Sequence, residues 1–191
     1  MPRLPGSSRL IPARGHRAAE RIYVLVFIEH GTRRMRLGGV TTNPTGDWAV
    51  QQARNLALTL GEQLENVQFL IRDHGSNFTP SFNRCLPGRR HQDPSDRRSG
   101  SQMNATCERL PGTLRRELLD HMLILSEAHL RAVLIEYQGH YNTARPHQGI
   151  AQRVPDAGRA APRPAMADLD IGRIRRKPVL YGLINEYTHA A

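Results

Sequence analysis

Two acidic side chains stand where chemistry on a phosphate ester would need them. Asp73, in IRDHGSNF, follows the apolar run Val67–Ile71, which reads as a buried strand. Glu108, in MNATCERL, comes 34 intervening residues later, at the start of a helical pattern over 104–119. An acid at the C-terminal end of a strand lies where an α/β sheet offers its ligands, and an acid on a following helix can reach the same point. Carboxylate oxygens suit Mg²⁺, which prefers octahedral oxygen coordination. Two such ions about 4 Å apart can activate an attacking hydroxyl and neutralise a departing oxygen. Taken singly, each acid has a plainer reading: Asp73 as a turn former, Glu108 as a first-turn residue favoured by the helix dipole.

The surrounding pattern predicts the elements that would position this pair. IYVLVFIE (Ile22–Glu29) is a nearly continuous β-rich apolar run, as expected of a central strand buried on both faces. MRLGGVTT (Met35–Thr42) reads as its hairpin partner after the turn HGTRR, and Asn43-Pro44 then breaks the chain. Asp47 can cap a helix from Trp48, with Ala53, Leu56, Leu60 and Leu64 on one face. Val67–Ile71, coming after that helix, implies a crossover into a mixed sheet. A second helix starts from Ser126 as N-cap and repeats Leu130, Val133, Leu134, Tyr137 and Tyr141 at three- and four-residue spacing. Residues 1–20 read as an irregular basic leader, 21–150 as the core, and 151–191 as a linker and basic C-terminal tail with a hairpin around Gly182. The pattern fails from Ser76 to Gln102, and 84–102 is expected to be a loop or disordered.

Three ordered motifs within 22–150 carry a family resemblance. RDHGSNFT, NATCERLPGTLRREL and EYQGHYNTARPHQGI are similar to the strand-Asp, Glu-helix and closing Tyr-Asn-x-x-Arg-Pro-His segments of the DDE recombinases, the insertion-sequence transposases and retroviral-type integrases. The resemblance implies an α/β, ribonuclease-H-like mixed sheet flanked by helices. It implies metal-dependent phosphoryl transfer on DNA, with Asp73 and Glu108 as catalytic carboxylates holding Mg²⁺ (or Mn²⁺). His140, Tyr141, Asn142, Arg145 and His147 are expected to form a helix end and a turn behind the catalytic helix, with Arg145 adding a phosphate contact. Cys107, beside Glu108, reads as a small buried hydrophobe.

The chain also departs from the family. The family's first acid lies on the strand before IYVLVFIE, and that register falls near Gly15-His16; no Asp occurs before Asp47. The N-terminal strand and its ligand are therefore expected to be missing. Pro111, three residues after Glu108, removes a backbone donor where the Glu helix should run, at a cost of about 3 kcal/mol. A truncated or degraded copy, catalytically weak or inactive and holding its metal weakly, is the expectation. The alternative is a non-catalytic remnant that binds DNA or an intact transposase.

Charge and composition point to a polyanionic partner. The formal charge is +10, concentrated in 1–21, 84–98 and 173–177, which carry +4, +3 and +4, so the remainder is near neutral. Such Arg clusters attract phosphate backbones, so DNA is the expected partner, with self-association or assembly with an intact transposase. No run of 18 apolar residues exists, and no membrane association is expected. Cys85 and Cys107 lack any regular Cys/His spacing, which suits a reduced, cytoplasmic protein without structural zinc.

Overall fold

The computed structural model describes residues 4–14, 21–29, 31–61, 67–72, 79–86, 109–157 and 174–189. Strands β1 (Leu4–Arg14), β2 (Arg21–Glu29), β3 (Met35–Thr41) and β4 (Val67–Arg72) form one sheet in the order β3-β2-β1-β4. β1 and β3 run antiparallel to β2, while β4 runs parallel to β1. The mixed sheet flanked by helices is the expected architecture. β2 is buried on both faces: Leu25 and Phe27 join one core, and Ile22, Val24, Val26 and Ile28 join the other. That explains why its sequence shows no polar alternation.

The N-terminal strand expected to be missing is present, and the supposed irregular leader contains it. LPGSSRLIPAR hides a strand because its Pro, Gly and Arg oppose β propensity. Neighbours on two sides override that preference by supplying ladder partners. Its prolines sit where a missing N–H costs least. Pro5 falls at the register shift between Leu4 and Gly6, and Pro12 lies beyond Ser8, the last residue paired with β4.

Helix α1 (Gly46–Leu60) crosses one face, capped by the Thr45 hydroxyl, which accepts from Trp48 N at 3.1 Å. The cap is thus Thr45, with Asp47 in the first turn; Leu64 lies outside the described residues. Ala49, Val50 and Ala53 are buried, and the helix lies close to β3 because Gly39 has no side chain. A Cβ there would stand 2.9 Å from Trp48 Cζ2. Helix α2 (Pro80–Cys85) lies in a stretch the sequence pattern left blank, with Phe82 and Leu86 buried on the α1 side. Its local signals were Thr79-Pro80, a preferred helix start, and the i, i+4 spacing of Phe82 and Leu86.

The opposite face carries helices α3 (109–119) and α4 (Glu127–Thr143). Ser126 caps α4 by accepting from His129 N, and Leu130, Val133, Leu134, Tyr137 and Tyr141 are all buried, as the spacing predicts. A hairpin of β5 (Ile174–Val179) and β6 (Ile184–His189) closes the described chain, with Val179 and Leu180 in the same core. Among the described residues no helix is long and apolar enough to cross a membrane.

α4 also seals the sheet. β3 is an edge strand, whose free N–H and C=O groups would otherwise invite pairing. Asn142 accepts from Met35 N and donates to Met35 O, both at 2.9 Å, and is 6% exposed. Gln138 accepts from Leu37 N, and Glu127 accepts from Thr42 N. The helix therefore runs antiparallel to β3 with polar side chains standing in for a neighbouring strand. Asn142→Leu leaves a buried N–H and C=O unpaired, so urea unfolding should show a loss of about 3 kcal/mol. A loss under about 1 kcal/mol would mean that the edge finds other partners.

Candidate functional site

The sheet brings β1 and β4 together as parallel neighbours, with Leu4 opposite Val67 and Ser8 opposite Arg72. Asp73 follows the last residue of β4, and Glu108 precedes the first described residue of α3. Both acids lie outside the described residues, as does the Gly15-His16 register position. β1 has no Asp or Glu from Leu4 to Arg14; Arg9, paired with Val26 on β2, occupies the position after Ser8. The strand is present and carries no acid. Among the described residues no group of three or more His, Cys, Asp or Glu could hold a metal ion. β1 therefore offers no carboxylate to a metal ion.

Pro111 lies in the first described turn of α3, and the chain stays helical beyond it. Residues 109–114 are helical, and the helix continues as a π turn, Arg115–Leu119, with Asp120 N donating to Arg115 O at 2.9 Å. Such single π turns re-aim side chains. Here Leu114 and Leu118 enter the core while Glu117 meets the end of α4.

Glu117 is the polar centre of this face. Tyr137 Oη donates to Glu117 Oε2 at 2.7 Å. Arg145 grips both carboxylate oxygens, Nε to Oε2 at 2.9 Å and Nη2 to Oε1 at 2.6 Å. This fork is stronger and more directional than a single ionic contact. Burial pushes the Glu117 carboxyl up, but hydrogen bonds from Arg145 and Tyr137 and the nearby positive charge outweigh it and hold it low. Burial and the Glu117 carboxylate push the Tyr137 phenol far up. Arg145, expected to touch phosphate, thus has a carboxylate partner within the chain.

His147 completes the cluster. It is 8% exposed, with Nε2 at 3.3 Å from Tyr141 O and Nδ1 at 3.2 Å from Arg145 Nη1. A carbonyl only accepts and a guanidinium only donates, so these partners select the neutral imidazole protonated at Nε2. Burial lowers its pKa, and the charges of Arg145 and Arg33 lower it further. His140 pairs instead with Glu186 of the C-terminal hairpin at 2.9 Å. The HYNTARPH segment is therefore a structural joint, as its turn-forming residues predict. Sequence reasoning passed over Glu117 because Arg-Arg-Glu on a helix reads as a solvated face.

A cleft of about 460 Å³ opens beside this joint, between α3 and the turn that follows α4. Arg33, Arg109 and Arg145 line it with Gln148 and Gln152, and none of its described lining residues is acidic.

The family model described as "Integrase core domain" matches residues 95–155, which span α3, α4 and the joint. The HTLV-2 integrase catalytic core domain, solved in complex with magnesium in a dimeric form, superposes with a TM-score of 0.53 at 13% identity. That match covers 85% of this chain and 98% of the viral one. The chain shares the fold of an integrase catalytic core domain. A chain of the simian T-cell lymphotropic virus intasome, in complex with PP2A regulatory subunit B56 gamma, is similar at a TM-score of 0.56 and 14% identity. It is matched over 98% of this chain and 66% of its own length. The sequence has no match among curated proteins.

In this integrase-type core, Glu117 is a stability element. Because its folded pKa lies below the ordinary 4.5, its stabilisation is present above that value and lost as pH falls through the lower folded value. Glu117→Gln should cost about 2 kcal/mol at neutral pH, since Arg145 loses its charged partner. It should also flatten the acid limb of stability below pH 4.5, measured by thermal unfolding across pH. An unchanged acid limb would assign that transition to other carboxylates.

Proposed function

We infer that this chain is a DNA integration and recombination domain of the integrase type in which catalysis is weak or absent. The observation that carries the reading is the β1–β4 pair: a parallel register ending at Ser8 and Arg72, one residue before Asp73, on a β1 without any acid. Asp73 and Glu108 are the two remaining catalytic and metal-binding carboxylates. Mg²⁺ or Mn²⁺ is the metal, carried over from the magnesium named with the HTLV-2 core. Two acids supply less charge and fewer oxygens than three, so the ions are held weakly, and positional errors of about 1 Å already cost much of the rate.

DNA is the partner, and self-association or assembly with an intact transposase the mode of action, supported by the dimeric form and the intasome among similar structures. The absent β1 acid also favours a second reading, a non-catalytic DNA- or transposase-binding remnant that regulates an active enzyme.

With Mg²⁺ or Mn²⁺, the purified chain should bind DNA but yield no cleaved or joined DNA ends. Binding should fall steeply between about 50 and 200 mM salt. Arg9→Asp, which places an acid on β1 next to Ser8 and removes a cation, should tighten Mn²⁺ binding in a calorimetric titration. Strand transfer by the unaltered chain, abolished by Asp73→Asn, would overturn the impairment and reveal a substitute ligand.

A further inference from the structure

The π turn of α3 holds one residue more than a regular helix would. Asp120 N donates to Arg115 O at 2.9 Å, an i to i+5 bond, where an α turn would close on Arg116. Single π turns are rare, so some contact must hold this one open. Its two flanks supply the reason. Upstream, Leu110 and Leu114 are buried in the core and fix the phase of the helix. Along a regular helix Glu117 would lie only about 60° from Leu114, against the buried stripe. The wider turn carries Glu117 further round, to Tyr137 Oη at 2.7 Å and the Arg145 fork at 2.6 and 2.9 Å.

The two sides of this contact differ in freedom. Arg145 is also held by His147 Nδ1 at 3.2 Å and lies over the Tyr141 ring, 5.6 Å from its centroid. It therefore stays in place when Glu117 leaves. Downstream of Glu117 the chain has slack, because 120–125 is a non-helical connection that ends at the Ser126 cap. His121 ties that connection to the turn: its N donates to Leu118 O at 3.1 Å, and its ring Nε2 lies 2.8 Å from Arg116 O. A change within the turn thus reaches Leu123 and Leu125, which are 64% and 62% exposed.

We propose that the junction between α3 and α4 has two registers and that the Glu117–Arg145 fork is the lock that selects one of them. With the fork made, the turn is π. With it broken, the turn closes to α: Leu119 N takes over the bond to Arg115 O, and Leu119 takes the place of Asp120. The residues at the end of the helix each move by one place, about 100° round its axis, and the connection gains one residue. The two registers compete because closing the turn restores the regular i to i+4 pattern while it gives up a charge-assisted, two-pronged contact. The burial of Leu110 and Leu114, the Ser126 cap and the Asn142 bonds to β3 are made by other residues and are the same in both registers. None of this depends on the DNA reading of the chain.

The test uses the full isotope-labelled chain and reads backbone hydrogen bonds as NMR couplings between amide nitrogen and carbonyl carbon. The unaltered chain should show the Asp120–Arg115 coupling. In Glu117→Gln, which removes the charge, it should give way to Leu119–Arg115 and Asp120–Arg116 couplings. The ratio of the two registers should change roughly tenfold or more, as loss of one charge-assisted hydrogen bond implies. The Leu130–Ser126 coupling in α4 reports that the chain is folded. Arg145→Lys keeps the cation and loses only the fork, so it carries the same test where Glu117→Gln does not fold. Tyr137→Phe, which keeps the fork, should keep the Asp120–Arg115 coupling. Persistence of that coupling in both fork variants, with α4 folded, would overturn the lock. Its loss with no i to i+4 coupling in its place would overturn the second register.

Discussion

The free edge of β3 must be closed, and α4 closes it with side chains. Asn142 makes both hydrogen bonds that a neighbouring strand would make to Met35. With Gln138 and Glu127 answering Leu37 and Thr42, the helix is fixed in direction and register along the strand. Everything after it inherits that placement. Arg145 lies three residues beyond Asn142, so locking Asn142 to the sheet brings Arg145 within reach of Glu117 on α3. An apolar contact could slide by a residue at little cost, whereas a buried amide paired to a strand edge cannot.

The charges divide into those used inside the fold and those left facing out. Glu117, Arg145, Tyr137 and His147 satisfy one another, and Glu186 joins Lys177 to His140, tying the C-terminal hairpin to α4. These contacts use one member of an Arg-rich set and leave others, such as Arg109, at the surface. A chain of +10 with a satisfied polar joint presents its surplus charge to whatever binds it.

A scaffold and its chemistry can part company. β1 keeps its place between β2 and β4 because its backbone supplies the ladder whatever side chains it carries. A carboxylate has no such backing from the fold, and the sheet forms with none on β1. The architecture therefore shows the integrase-core fold and says little about turnover.

The sequence by itself determined the elements whose signals are local: the two-faced run of β2, the Ser126 cap with its five buried apolar positions, and the hairpin around Gly182. The motif words around Asp73, Glu108 and Arg145 were equally legible, because family resemblance is read in short strings; the two acids themselves lie outside the described residues. Only the tertiary structure decided that LPGSSRLIPAR is a strand, that PSFNRC is a helix, and that Glu117 is the partner of Arg145. Each of those depends on contacts between residues far apart in the chain. A strand poor in β-formers is stabilised by the two neighbours it lies between, and an acid in an Arg-rich helix is committed only when another helix delivers a guanidinium to it.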